Sequence, residues 1–223
     1  MKGSGEPHFE DNVESVGTLR EMWNQSYANE PSWWKGPYDL SPIMQRLTAG
    51  ARVLDVGCGS GRYLVPLVRN GFEAVGADIS RHALESLGSQ YACLVADVCR
   101  LPFSDSQFDA VTCYGVLEHL TQIGCVQAAT EVFRILTDRG LAFFEVTGLH
   151  DMRNHSGVQK DAYSIIRRGI PHHYFSPAEL RTIFESAGFA VLALKEKINT
   201  RRYAGVVSRR HRIFITVRRP RTA

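Results

Sequence analysis

The order of apolar and polar segments in this chain predicts an α/β domain: a doubly wound, mostly parallel sheet with helices on both faces. Three observations carry that prediction. Apolar runs of strand length alternate with amphipathic runs of helix length, in the order βαβαβ, then βαβ, then αββ. The first apolar run passes into Val53-Leu54-Asp55-Val56-Gly57-Cys58-Gly59-Ser60-Gly61, an acid followed by three alternating glycines where a strand should turn into a helix. Acids then recur at the ends of the next two expected strands, Asp78 and Asp97. In a doubly wound sheet those ends converge on one ligand crevice.

Each element has its own signal. Residues 1–12 are polar and read as disordered, and residues 13–27 follow a helical pattern with Val16, Leu19, Trp23 and Tyr27 on one face. Residues 30–38 are dense in aromatics, including Trp33, Trp34 and Tyr38. They read equally as core packing or as a lid over a ligand. Residues 41–47 form a short helix with Ile43, Met44 and Leu47 facing inward. Strand one covers 52–56 and is followed by a helix over 62–69 that Asn70-Gly71 stops, a pair tolerant of left-handed backbone. Strand two covers 72–77, and Ser80 caps the next helix. Strand three covers 92–96 and strand four 110–114. A helix over 121–136 carries Ile123, Val126, Ala129, Phe133 and Leu136, and Asp138-Arg139-Gly140 closes it before strand five at 141–146. Residues 147–175 read as one long connection. Ser176-Pro177-Ala178-Glu179 is a helix start with cap, proline and glutamate in their favoured places, and Gly188 stops that helix. Alternating runs at 190–194 and 212–217 read as a terminal hairpin.

At 223 residues, with 44% hydrophobic and 22% charged residues, the composition is that of an ordinary globular protein. No apolar run approaches the roughly 20 residues of a membrane span, and the N-terminus lacks the apolar core of a signal peptide. Five cysteines without a C-x-x-C pair read as reduced thiols in a cytoplasmic protein, with no metal site. Net charge is unevenly spread: residues from Lys195 onward carry +9 and the rest −6. A basic segment over 195–221 could face a polyanion such as RNA. The plainer reading, a solvated edge hairpin with a frayed tail at 219–223, is preferred.

The glycine turn narrows the ligand. The dinucleotide fingerprint G-x-G-x-x-G needs a glycine at its sixth position, where this chain has Arg62 or Leu64 depending on the starting glycine. Asp55 would repel a pyrophosphate and suits a ligand end bearing a positive ammonium or sulfonium. Asp78 can accept both hydroxyls of a ribose, and Asp97 can accept from an adenine amino group.

Together, the 53–61 turn, Gly76-Ala77-Asp78-Ile79-Ser80, Ala96-Asp97, the connector from Leu101-Pro102-Phe103 to Phe108-Asp109 and Val116-Leu117-Glu118-His119-Leu120 resemble the class I S-adenosylmethionine-dependent methyltransferases, most closely the type 11 methyltransferase domain. The tail segments 174–180 and 187–189 also resemble that family. The resemblance implies a seven-stranded sheet of order 3-2-1-4-5-7-6 with the last strand antiparallel. It implies a catalytic domain over 49–218, an N-terminal cap over 13–48 and a substrate cap over 147–175. It also implies that Gly57, Cys58, Gly59 and Gly61 line the methionine moiety, with Cys58 contributing backbone, and that Asp55 holds the ammonium. Asp78 then binds ribose, Ile79 packs on adenine, Asp97 and Val98 read the adenine edge, and Tyr114 and Gly115 lie along the ligand. Asp138-Arg139 departs from the family's usual Lys-Pro, at the sheet end away from the chemistry.

Methyl transfer from a sulfonium chiefly demands alignment and exclusion of water. An alcohol, amine or carbon acceptor also needs a base. Candidates are His119, for which a structural role is the plainer reading, and His172 and His173 in the cap; their spacing fits no tight metal site. Trp23, Tyr27, Trp33, Trp34 and Tyr174 are candidates for contact with the acceptor. A small-molecule acceptor is the preferred reading. An RNA acceptor using the basic hairpin and a non-catalytic cofactor- or partner-binding module are the alternatives.

Overall fold

The computed structural model describes residues 14–29, 39–203 and 206–221. The expectations for residues 1–12 and for Trp33, Trp34 and Tyr38 lie outside them. In chain order the elements are α1 (Glu14–Asn29), α2 (Ser41–Met44), β1 (Arg52–Val56), α3 (Leu64–Arg69), β2 (Glu73–Asp78), α4 (Arg81–Glu85), β3 (Cys93–Val95) and β4 (Phe108–Tyr114). A 3-10 turn (Leu117–His119), α5 (Gln122–Ile135) and β5 (Leu136–Thr147) follow. A second 3-10 turn (Met152–His155), β6 (Val158–Gln159), β7 (Ser164–Arg167), β8 (Ile170–His173), α6 (Pro177–Ser186), β9 (Ala190–Tyr203) and β10 (Val206–Arg218) complete the chain.

The main sheet has seven strands in the order β3-β2-β1-β4-β5-β10-β9. Pairs β1–β2, β1–β4, β2–β3 and β4–β5 are parallel, and β10 runs antiparallel to both β5 and β9. This is the expected 3-2-1-4-5-7-6 arrangement. Strand period decides which residues face which layer. Leu54 and Val56 pack with Val111, Phe144 and Ile213 under α5 and α6, while Val53, the residue before Leu54, joins Leu64, Leu67, Ala110 and Phe143 on the opposite face. Both faces are therefore apolar and both are covered, which is why the parallel strands read as continuous apolar runs.

The caps act as their residue types dictate. Ser80 accepts from the Ala83 amide at 3.2 Å. Ser176 and Glu179 form a reciprocal capping box at the start of α6.

Four expectations need correction. On α2 only Ile43 is buried, whereas Met44 is 45% exposed. On α5 the inward side is Gly124, Cys125, Ala128, Ala129, Val132 and Ile135, leaving Ile123 and Val126 exposed. That side combines small residues near the start of the helix with Val132 and Ile135 near its end, both fully buried. The long connection holds a separate three-stranded antiparallel sheet, β6-β7-β8. Finally, β9 and β10 continue past the apolar runs, pairing from Ala190–Arg218 out to Tyr203–Val206. Ladder hydrogen bonds need only backbone, so pairing outlasts the hydrophobic pattern that announced it. No helix among the described residues is long and apolar enough to cross a membrane.

Candidate active site

The 53–61 turn is fixed from β2. The Gly57 and Cys58 amides donate to the Ala77 carbonyl at 2.7 and 3.1 Å. The Asp78 carboxylate accepts from the Gly59 and Ser80 amides, both at 2.8 Å, so each oxygen already holds one backbone donor. Its remaining lone pairs are what is left for a ligand. Burial raises the Asp78 pKa, and the amides of Ser80, Gly59 and Ile79 oppose that shift. Gly57 and Gly59 take the left-handed backbone, with φ of 67° and 53°. Gly61 lies beneath the turn against Leu87, away from the cavity that the other two line.

Asp55, at the end of β1, is buried. Its Oδ1 accepts from the Thr112 hydroxyl at 2.7 Å on the neighbouring β4. Its Oδ2 is buried without a hydrogen-bond partner among the described residues, and Asp55 is among the residues that line the cavity. Burial pushes this carboxyl up to about 7, against the pull of Thr112 and the Leu64 amide. A buried carboxylate oxygen with no donor is a costly arrangement unless a ligand supplies one. The Cys58 thiol is likewise held far above its usual range by burial and by Asp55 and Asp78, so it contributes backbone to the turn and no nucleophile.

Helix α1 lies across the mouth. Asn24 accepts from the Ser80 hydroxyl at 2.9 Å, tying α1 to the start of α4. This places Trp23 and Tyr27 over the turn, where they line the cavity and narrow it to about 110 Å³. Ile79, Asp97, Val98, Tyr114 and Gly115 line it too. Asp97 closes its own turn by accepting from the Cys99 amide at 2.9 Å. The Tyr114 ring lies 4.3 Å from that of Tyr63.

A second cavity, about 1340 Å³, opens between the start of α5 and the β6-β7-β8 sheet. Leu19, Ile79, Asp97, His119 and Leu120 line both cavities. The three candidate histidines separate here. His119 stands on the shared wall, with its Nδ1 2.8 Å from the Pro171 carbonyl. His173 is spent on structure: its Nδ1 meets Ser164 Oγ at 3.0 Å and its Nε2 meets Glu179 at 2.7 Å. His172 packs edge-on to His119 and lines neither cavity. Tyr174 is 1% exposed and likewise lines neither cavity, so the sequence expectation that places it against the acceptor is corrected to the core.

Sequence reasoning missed the charged floor of the first cavity. Arg212 on β10 lies 3.3 Å from Glu145 on β5 and 3.8 Å from Glu118, and donates to Thr147 Oγ1 at 3.0 Å. Glu145 and Arg212 both line the cavity. Burial raises the Glu145 pKa, and Arg212 opposes it. The signal was present: an acid inside the apolar run of β5 and a cation within the core alternation of β10 each require a buried partner.

The crevice at the carboxyl ends of β1, β2 and β4, with its glycine turn and three strand-end acids, defines a nucleotide-binding doubly wound protein. A family model described as a methyltransferase domain matches residues 34–194. The chain therefore belongs to the methyltransferase-domain family, within the class I S-adenosylmethionine-dependent fold. Among relatives, the probable tRNA methyltransferase 9B of Homo sapiens is 30% identical over 116 residues, covering 51% of this chain and 25% of the relative. The ubiquinone biosynthesis O-methyltransferase of Bartonella bacilliformis is 30% identical over 118 residues, covering 49% of this chain and 44% of that protein. The chain spans about half or less of the length of the curated relatives it matches. A solved structure of Burkholderia thailandensis 1,6-didemethyltoxoflavin-N1-methyltransferase, with 1,6-didemethyltoxoflavin and S-adenosylhomocysteine bound, superposes with a TM-score of 0.71 at 18% identity. That match covers 97% of this chain and 93% of the other.

The residues present fit S-adenosylmethionine. The orphaned Asp55 Oδ2 matches an ammonium, the remaining acceptor capacity of Asp78 matches ribose hydroxyls, and the cavity wall at Ile79 and Val98 is apolar as a purine face requires.

Proposed function

We propose that this chain transfers a methyl group from S-adenosylmethionine to a small-molecule acceptor. The observation that carries the reading is the buried, unpartnered Oδ2 of Asp55 in a crevice whose opposite wall opens into a second, roomier cavity. In this reading Asp55 holds the ammonium, and the backbone of Gly57, Cys58 and Gly59 follows the methionine moiety. Asp78 takes the ribose hydroxyls, Ile79 and Val98 flank the adenine, and Asp97 accepts from its amino group. Tyr114 and Gly115 line the sulfonium end. In this reading the catalytic domain is 49–218, α1 covers the cofactor as the described part of the N-terminal cap, and 147–175 cover the acceptor.

S-adenosylmethionine supplies an electrophilic methyl on a sulfonium whose neutral thioether departs. The chain supplies alignment and a dry site. Trp23 and Tyr27 on α1 close the crevice from solvent, and the shared wall at His119 and Asp97 sets where an acceptor in the second cavity meets the first.

A second reading is favoured by one feature. The β9–β10 hairpin continues beyond the Arg212–Thr147 pair, past the carboxyl end of β5 and so beside the mouth of the site. Lys195, Lys197, Arg202 and Arg209 are exposed along it. Such an arm suits a phosphate backbone, with tRNA as the acceptor.

One experiment tests both. The protein is incubated with methyl-labelled S-adenosylmethionine and either the low-mass fraction of a cell extract or total tRNA. Label in the low-mass fraction is the expected result. Label in tRNA alone replaces it with the second reading, and label in neither leaves a binding module and overturns both.

A further inference from the structure

Resting on the small-molecule reading, we propose that His119 is the general base of the reaction, and that the acceptor is one that must lose a proton: a hydroxyl, a nitrogen acid or a carbon acid, and not a carboxylate. The argument begins with the tautomer. A peptide carbonyl can only accept, so the 2.8 Å contact to the Pro171 oxygen makes His119 Nδ1 the protonated nitrogen. The lone pair of the neutral ring is then on Nε2. Nothing in that ring's surroundings leaves its orientation free: Trp23 from α1 packs edge-on at 4.8 Å and His172 from β8 at 4.6 Å.

Place decides the rest. His119 lines both the crevice assigned to the cofactor and the cavity assigned to the acceptor. Of the five residues that do so, only it and Asp97 carry a titratable group, and Asp97 accepts from the Cys99 amide and is assigned to the adenine amino group. His173 has both nitrogens bound and His172 faces neither cavity. Burial holds His119 below its ordinary pKa, with Glu118 and the Pro171 carbonyl opposing and Arg153 assisting, so the ring is neutral when an acceptor arrives. Burial also pushes His172 down to about 3, aided by His119 and Arg153, so a second cation does not form beside it. The charged or titratable groups facing the ring are Glu118 on its own turn, His172 on β8, Arg153 on the second 3-10 turn and Asp97 on the shared wall.

The step balances. The acceptor's proton passes to Nε2, the electron pair it leaves bonds to the methyl carbon, and the carbon–sulfur pair stays on sulfur. The imidazolium returns its proton to water when the cavity reopens.

The test uses the full chain, methyl-labelled S-adenosylmethionine and the low-mass extract fraction. Wild-type protein is expected to transfer label. His119→Gln and His119→Ala are expected to slow transfer at saturating S-adenosylmethionine by about 100-fold or more, a loss larger than any weakening of S-adenosylhomocysteine binding read by calorimetry, while the variants still melt cooperatively. Their residual rate should climb about tenfold per pH unit as the acceptor ionises unaided. Transfer within threefold of wild type in either folded variant overturns the assignment. Should both variants fail to fold, nitrogen NMR on the wild type decides: the His119 titration midpoint should match the acidic limb of the single-turnover rate, with Nδ1 protonated in the neutral ring. A mismatch, or a proton on Nε2, overturns it. A wild type that transfers nothing to the low-mass fraction instead overturns the small-molecule reading on which the assignment rests.

Discussion

The Tyr27 hydroxyl lies against the backbone of Gly59, so close that a β-carbon there would stand 2.5 Å from it. Helix α1 and the glycine turn are thus fitted to each other, and a side chain at position 59 would wedge them apart. Gly59 also sits at φ 53°, where an L-residue costs about 1–2 kcal/mol. Gly59→Ala is expected to lower unfolding free energy by about 2 kcal/mol and to weaken S-adenosylhomocysteine binding at least tenfold. Urea denaturation and calorimetry check the two effects separately, and wild-type affinity would show that the turn does not contact the ligand.

Asp55 makes a prediction about protons. Its folded pKa, about 7, lies above its ordinary value of 3.8. The folded state therefore holds a proton that the unfolded chain has released between about pH 4 and 7. The stability this confers is complete below pH 4 and is lost as pH rises through 7, on the order of 4 kcal/mol in all. Asp55→Asn should remove that slope and exceed the wild type in stability at pH 8. A cationic ligand end favours the carboxylate, so wild-type affinity should rise about tenfold per unit from pH 5 to 7 with release of a proton, and the variant should show neither. Calorimetry in two buffers of different ionisation enthalpy reads the proton directly.

Removing the Asp78 carboxylate strands two amides. With Asp78→Ala, the Gly59 and Ser80 donors lose their acceptors, at a cost of about 3 kcal/mol in stability. Affinity for S-adenosylmethionine should fall by a further 1–3 kcal/mol through lost charge-assisted hydrogen bonds. Unchanged affinity in a folded variant would remove Asp78 from the ribose site.

Arg212 holds two buried acids, Glu145 and Glu118, whose side chains are 14% and 4% exposed. Arg212→Met leaves both uncompensated and should destabilise the protein by about 3–5 kcal/mol at pH 8. Because burial has already raised the Glu145 pKa, that carboxyl takes up a proton as the pH falls, and part of the loss should be regained at lower pH. A deficit independent of pH would mean that packing, and not charge, is what the arginine provides.

Much of the fold was legible because it rests on short-range rules. The glycine turn, the Ser80 and Ser176 caps and the boundaries of β1 follow from φ preferences and local hydrogen bonds that neighbouring residues satisfy. The ends of β9 and β10 were not, since their outer pairs lie beyond the apolar alternation and are held by ladder pairing and polar contacts such as His211 with Glu196. The inward face of α5 was read correctly at Ala129 but missed at Gly124, Ala128 and Val132, because apolar residues also occupy its outer side at Ile123 and Val126.

By itself, the sequence determined the doubly wound sheet, the cofactor-type crevice and the strand-end acids and the glycines Gly57 and Gly59 that line it, because strand-end acids and alternating glycines carry their geometry in their spacing. Only the tertiary structure decided among the three histidines. His119, His172 and His173 are equivalent as residue types, and what separates them is partners 52 residues away for His119 and six to nine away for His173. The Glu145–Arg212 floor was decided in the same way, by the pairing of β10 against β5. A side chain's chemistry is local, but the company that sets its tautomer, charge and reach is assembled by folding.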